Sequence, residues 1–137
     1  MEIPEITFQR GTYGLNCDPN FNFQLNRVIQ WNGGRLEDVA PVAEKICTGA
    51  DWKRQLITLG DAAMPEGRTE NAIAYYRMSE FFMVDGDPDK LAYYRKATEL
   101  FYDYYRELFT SGLVERLEAP YENIKLPILH VRPEGES

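Results

Sequence analysis

Apolar residues recur at helical spacing through most of this 137-residue chain and change to alternation near its end. Asp18-Pro19 sets an N-cap acid before a proline at the first helical position. Phe21, Leu25, Val28 and Ile29 follow at i, i+4, i+7 and i+8, the spacing of one helical face. Gly33-Gly34 ends that helix. A second is predicted from near Asp38, with Val39, Val42, Ala43 and Ile46 on one face and Pro41 inside its first turn. Thr48-Gly49 is read as its stop, which leaves Cys47 at helical spacing among apolar neighbours, as a small core residue. Asp51 then caps a third helix carrying Trp52, Leu56, Leu59 and Ala63, and Pro65-Glu66-Gly67 ends it.

A fourth helix is predicted over Thr69–Val84. It is apolar over well over half of its circumference, as in a helix packed on several sides. After the Asp85-Gly86 break, Asp87-Pro88 repeats the cap signal and opens the longest helix, about 88–109. Leu91, Tyr94, Thr98, Phe101, Tyr105 and Leu108 form one stripe. Tyr93, Ala97, Leu100 and Tyr104 form a second beside it, so two faces are expected to be buried or used. Beyond Gly112 the period becomes two. Pro120 and Pro127 confine the alternating segments to strand edges or ends, and Tyr121-Glu122-Asn123-Ile124 supplies a turn.

The expected organisation is an irregular N-terminal arm over 1–18, in which Ile3, Ile6 and Phe8 alternate weakly, a helical domain over 19–112 and a β-hairpin over 113–137. The fold class is mainly α: about five helices with a C-terminal hairpin. An isolated two-stranded hairpin is marginal in water and calls for a sheet to join. No other strand is predicted, so the chain reads as if cut where a second domain begins.

Composition narrows the chemistry. The net charge of −7 argues against a nucleic-acid partner, since neutralising phosphates takes a surplus of Lys and Arg. No apolar run approaches the roughly 20 residues of a membrane span. Residues 1–10 hold Glu2 and Glu5 and no apolar signal-peptide core. Cys17 and Cys47 have neither a CxxC spacing nor the density of a disulfide scaffold. Both are read as reduced thiols, and the expected location is cytoplasmic.

The common catalytic constellations lack parts. None of the serines (Ser79, Ser111 and Ser137) sits in a Gly-x-Ser-x-Gly elbow, and His130 is the one imidazole. One His and two distant Cys cannot supply a zinc site at any usual spacing. Asp85-Gly86-Asp87-Pro88-Asp89 imitates the opening of a calcium loop. Lys90 stands where that loop needs Gly and Lys96 where it needs the bidentate Glu, so a turn and a helix cap are expected instead. No phosphate-cradling glycine motif is present. No metal and no cofactor are expected. Glu80, among aromatic residues and three positions from Arg77, is expected to form a structural ion pair with it rather than to act as an acid–base group.

Three stretches carry a resemblance. Asn71-Ala72-Ile73-Ala74-Tyr75-Tyr76-Arg77-Met78-Ser79-Glu80-Phe81-Phe82 resembles the "A-x-x-Y-Y-R-x-A-E-F-F" helix of two-domain serine α/β-hydrolases of the dihydroxypseudooxynicotine hydrolase-like and acylaminoacyl-peptidase-like kinds. Asp87-Pro88-Asp89-Lys90 with Tyr94-Arg95-Lys96 resembles the next helix of that group. Glu118 to Glu122, then Leu126-Pro127 to Arg132-Pro133, is similar to its "V-P-Y-E-G…L-P-G-x-x-x-x-P" entry hairpin. The departures are Ser79 for Ala, Asn123 for Gly and Ile128 for Gly. The resemblance spans roughly 21–135 and implies a non-catalytic cap region that shapes a substrate pocket. Its partner would be an α/β-hydrolase domain in cis. The nucleophile elbow, acid and His of that group would all lie after Ser137, so it places no catalytic residue on this chain. It offers Tyr75, Tyr76, Arg77 and Glu80 as pocket or domain-interface residues, and exposed apolar surface would allow self-association. The alternative is a stand-alone helical protein-binding module using the Tyr-rich long helix as a partner groove.

Overall fold

The structure is a computed structural model describing residues 12–30 and 33–133. The expected extended piece around Ile3, Ile6 and Phe8, and Ser137, lie outside the described residues. Among the described residues the chain is mainly α-helical with a C-terminal antiparallel hairpin, the fold class the sequence pattern predicts. It divides into two compact units, one reaching to Tyr104 and one from Tyr105 onward.

In the first unit the helices are α1 (Pro19–Gln30), α2 (Leu36–Ala43), α3 (Gly49–Ala63), α4 (Thr69–Ser79) and α5 (Pro88–Tyr104). Asp18 caps α1 as expected: its Oδ1 accepts from the backbone N of Asn20 (2.8 Å) and Phe21 (3.0 Å). The α2–α3 junction departs from expectation. Helix α2 begins at Leu36 and ends at Ala43, so Pro41 falls beyond its first turn. The proline removes one ladder bond from a short helix that stops two residues later. Thr48 starts α3 rather than stopping α2. It forms a capping box with Asp51, whose backbone N donates to Thr48 Oγ1 at 3.1 Å while Asp51 Oδ2 accepts from the Thr48 N at 3.1 Å. Cys47 therefore lies in the connecting loop and is exposed, not in the core.

Two clusters make the core. The larger gathers Leu25 and Val28 of α1, Val39 and Ala43 of α2, Trp52 and Leu56 of α3, and Tyr75 of α4. Trp52 Nε1 donates to the Met78 carbonyl at 2.8 Å, which satisfies the indole inside that core. The smaller joins Ala63, Ala72, Tyr76 and Ala97 where α3, α4 and α5 meet. Helix α4 packs against α1, α3 and α5, as its nearly all-round apolar surface requires. It ends earlier than expected, at Ser79, and a single 3-10 turn over Glu80–Phe82 follows. The two stripes of α5 differ in burial. Ala97 is buried with Tyr93 and Leu100 packed beside it, while Leu91 and Tyr94 on the other stripe are exposed.

The second unit holds α6 (Arg106–Thr110), β1 (Val114–Tyr121) and β2 (Ile124–Val131). A turn at Tyr105 interrupts the long helix, so the change between units falls before the 112/113 boundary suggested by sequence period. The strands pair antiparallel from Val114↔Val131 to Tyr121↔Ile124, around a Glu122-Asn123 turn in which Glu122 has φ +50°. The Arg132 N donates to the Leu113 carbonyl at 2.9 Å. Hydrogen-bonded and non-bonded pairs alternate along an antiparallel ladder, so Pro120 and Pro127 both fall at outward-facing positions. Neither proline costs the hairpin a bond, and each blunts an outer edge.

Directly opposite residues share a face. Leu117, Ala119, Tyr121, Ile124, Leu126 and Ile128 therefore line one side of the hairpin. All but Ala119 are large, and all five large ones are exposed. Glu115, His130 and Arg132 close the end of that side, with His130 Nδ1 3.5 Å from Glu115 Oε2 and Arg132 also paired to Glu115. These two partners hold the Glu115 carboxyl below its ordinary pKa, the His130 hydrogen bond contributing most.

Candidate functional site

Tyr75, Tyr76, Arg77 and Glu80 are consecutive or nearly so, but α4 distributes them to different surroundings. Successive helical residues are rotated by about 100°, so neighbours do not share a face. Tyr75 is fully buried and points into the larger cluster. Its hydroxyl donates to Asp38 Oδ2 (2.7 Å) and accepts from the Arg35 N (3.0 Å). Asp38 also takes Arg68 Nη1 at 2.6 Å and Arg35 Nε at 3.0 Å. Burial pushes the Asp38 carboxyl up. The hydrogen bonds from Arg35, Tyr75 and Arg68 outweigh it and hold the group below its usual value. Burial, then contact with the carboxylate, raises the Tyr75 phenol well above its ordinary value. The network leaves no buried side-chain polar atom without a partner, and it fastens α2 to α4.

Tyr76 points the other way, into the smaller cluster. Its hydroxyl donates to Asp61 Oδ1 at 2.6 Å, its ring lies 5.7 Å from that of Tyr93, and Lys96 Nζ sits 4.3 Å from its centroid. Burial and the Asp61 carboxylate raise its phenol as well. Ser79 is also buried, and its Oγ donates to the Tyr76 carbonyl at 2.7 Å. That hydroxyl is committed to the backbone and offers no nucleophile.

Arg77 and Glu80 reach the surface, paired to each other. The Arg77 guanidinium stands 5.1 Å from the centroid of the Tyr94 ring. Around them run two adjoining cavities that share Tyr94. One, of about 320 Å³, is lined by Ile73, Arg77, Tyr94, Ala97, Thr98 and Phe101 among others. The other, of about 370 Å³, is lined by Glu80, Asp85, Lys90, Leu91 and Tyr94 among others. Exposed Phe81, Val84 and Leu91 add apolar surface nearby. The result is an α4–α5 groove, aromatic and aliphatic along Ile73, Tyr94, Ala97 and Phe101 with the Arg77 guanidinium beside them, and charged along Glu80, Asp85, Asp87 and Lys90. Such a surface can recognise a ligand or another protein face. Glu80, at its edge, is paired to Arg77.

Sequence reasoning overlooked Asp38, Arg35 and Arg68. Arg35 and Asp38 stand at i, i+3, but Arg68 and Tyr75 reach Asp38 from some thirty or more positions along the chain, and no local pattern announces that convergence. The calcium-like stretch is occupied by a side-chain cation: Lys53 Nζ bridges Asp87 (2.9 Å) and Asp89 (2.8 Å). Asp87 Oδ1 accepts from the Asp89 N at 2.9 Å as the expected cap of α5. Among the described residues no group of three or more His, Cys, Asp or Glu is disposed to hold a metal. No helix among them is long and apolar enough to cross a membrane.

Compared with protein-family models, with curated proteins and with solved structures, the chain matches none.

Proposed function

We propose that this chain is the N-terminal cap region of a serine α/β-hydrolase, a non-catalytic part that shapes the parent's substrate pocket. One observation carries the proposal. The hairpin exposes a continuous apolar side, Leu117 through Ile128, and its strands pair only with each other among the described residues. A face of that composition calls for a covering layer, and a hydrolase domain in cis supplies one. Support comes from the order of the parts: a Tyr-Tyr-Arg helix, an Asp-Pro-capped helix, then an entry hairpin, in the sequence order of the resembled family. In the parent the cap would exclude water from an acyl or C–C cleavage site, with the chemistry carried by an elbow serine outside these residues. The Arg77–Glu80–Tyr94 groove is the part of the helical unit offered to substrate or to that domain. Two exposed thiols fit a reducing, cytoplasmic setting.

The α4–α5 groove also favours a second reading, a helical module that binds a partner protein along α5. Ester hydrolysis tests the first. The purified chain is expected to turn over no p-nitrophenyl acetate or butyrate above buffer. Turnover that survives repurification and follows the protein peak overturns the cap assignment.

A further inference from the structure

Cys17 and Cys47 are thirty positions apart, yet both line one cavity of about 360 Å³, with Asn16, Glu44 and Ile46 in the same wall. Both thiols are exposed. Each stands one residue before a helix cap, Cys17 before Asp18 of α1 and Cys47 before Thr48 of α3. The two segments are fastened to each other beside the thiols. Asn16 Nδ2 donates to the Ala43 carbonyl (2.8 Å) and to the Ile46 carbonyl (2.8 Å), the second being the peptide oxygen next to Cys47. The backbone on either side is held as well. Leu15 N and Asn16 N donate to Asn22 Oδ1, and Cys47 N donates to Asp51 Oδ2 at 3.0 Å.

The Asn16 bond to the Ile46 carbonyl sets the peptide before Cys47 against the residue before Cys17, and the two cysteines line the same cavity; a disulfide between them requires about 4.4–6.8 Å between Cα atoms. Neither Cys17 nor Cys47 lies inside a helix or strand. From this juxtaposition we propose that Cys17 and Cys47 are a redox pair, reduced at rest and closed to an intramolecular disulfide by a low-molecular-weight disulfide. The site is independent of the cap assignment, because it lies wholly within the helical unit and away from the α4–α5 groove.

The exchange balances in two steps. One cysteine, as its thiolate, attacks the reagent disulfide, forms a mixed disulfide and releases one mercaptan. The other thiolate attacks the protein sulfur of that mixed disulfide, which closes Cys17–Cys47 and releases the second mercaptan. Two electrons pass from the protein to the reagent, and the two thiol protons end on the released mercaptans. Glu44 lines the same cavity and would repel an anionic disulfide, so a neutral reagent suits the test.

The full chain, fully reduced and at low micromolar concentration, is equilibrated with hydroxyethyl disulfide, acid-quenched and weighed by mass spectrometry. The expected product is a monomer about 2 Da lighter than the reduced chain. Its non-reduced tryptic map should join the peptide spanning residues 11–27 to that spanning 46–53. The Cys17→Ser variant should instead gain one mixed disulfide at Cys47, about 76 Da. A wild-type product carrying two mixed disulfides, or a disulfide-linked dimer, overturns the proposal.

Discussion

Gly60 shows how much of the helical unit turns on single positions. It is buried in α3, and a Cβ added there would meet the Tyr76 ring at 2.5 Å. The ring is tied in place, with its hydroxyl donating to Asp61 and Tyr93 and Lys96 packed against it. Gly60→Ala is therefore expected to cost about 1–3 kcal/mol despite the better helix propensity of alanine. That corresponds to a fall in melting temperature of at least about 4 °C, read by circular dichroism at 222 nm. A variant as stable as the parent would mean that α3 and α4 lie farther apart than described. Asp38 gives a second case. Its folded carboxyl is held below its unfolded value near 3.9, so its contribution is present above about pH 4 and is lost as pH falls through the lower folded value. Asp38→Asn should destabilise by about 1–3 kcal/mol at pH 7. The gap between variant and parent should narrow as the pH of the melts is lowered through 4 toward 2. A gap that stays constant would remove the charge from the explanation.

At the scale of elements, helix existence was legible because the apolar period and the Asp-Pro and Gly signals agree. The Asp18 and Asp87 caps fall where the sequence puts them. The α2–α3 junction was not legible, because Thr48-Gly49 serves equally as a stop or a start and only the capping box with Asp51 decides between them. The same ambiguity put Cys47 in the core on paper and at the surface in the fold. The Tyr75-Tyr76 doublet was legible as helix–helix packing, which the burial of both rings bears out, but its acid partners were not. Each ring finds its acid, Asp38 or Asp61, on another helix, and no local pattern announces that. Of the candidate site, the Arg77–Glu80 pair follows from i, i+3 spacing, and its neighbour Tyr94 comes from a different helix. The hairpin followed from its alternation and its two prolines, and it carries the element-scale prediction. Leu126→Lys with Ile128→Lys places charge on the apolar side without touching the ladder. The double variant should bind less 8-anilinonaphthalene-1-sulfonate and self-associate less in sedimentation velocity, with the helical signal unchanged. Unaltered dye binding and association would move the sticky surface away from the hairpin.

For the whole molecule, the two units point to different needs. The helical unit satisfies its own polar groups: among the described residues no buried side-chain nitrogen or oxygen lacks a hydrogen-bond partner. The hairpin has a satisfied ladder and an uncovered apolar side. A helical unit with a satisfied core beside a hairpin with an exposed apolar side is the arrangement that the proposed cap reading draws on. The most direct measurement is to read the coding sequence past Ser137 in the natural source. The cap assignment predicts an open frame that continues into a His-Gly-Gly-like strand and a Gly-x-Ser-x-Gly elbow. A stop codon directly after Ser137 would contradict it and leave the helical binding module as the reading to pursue.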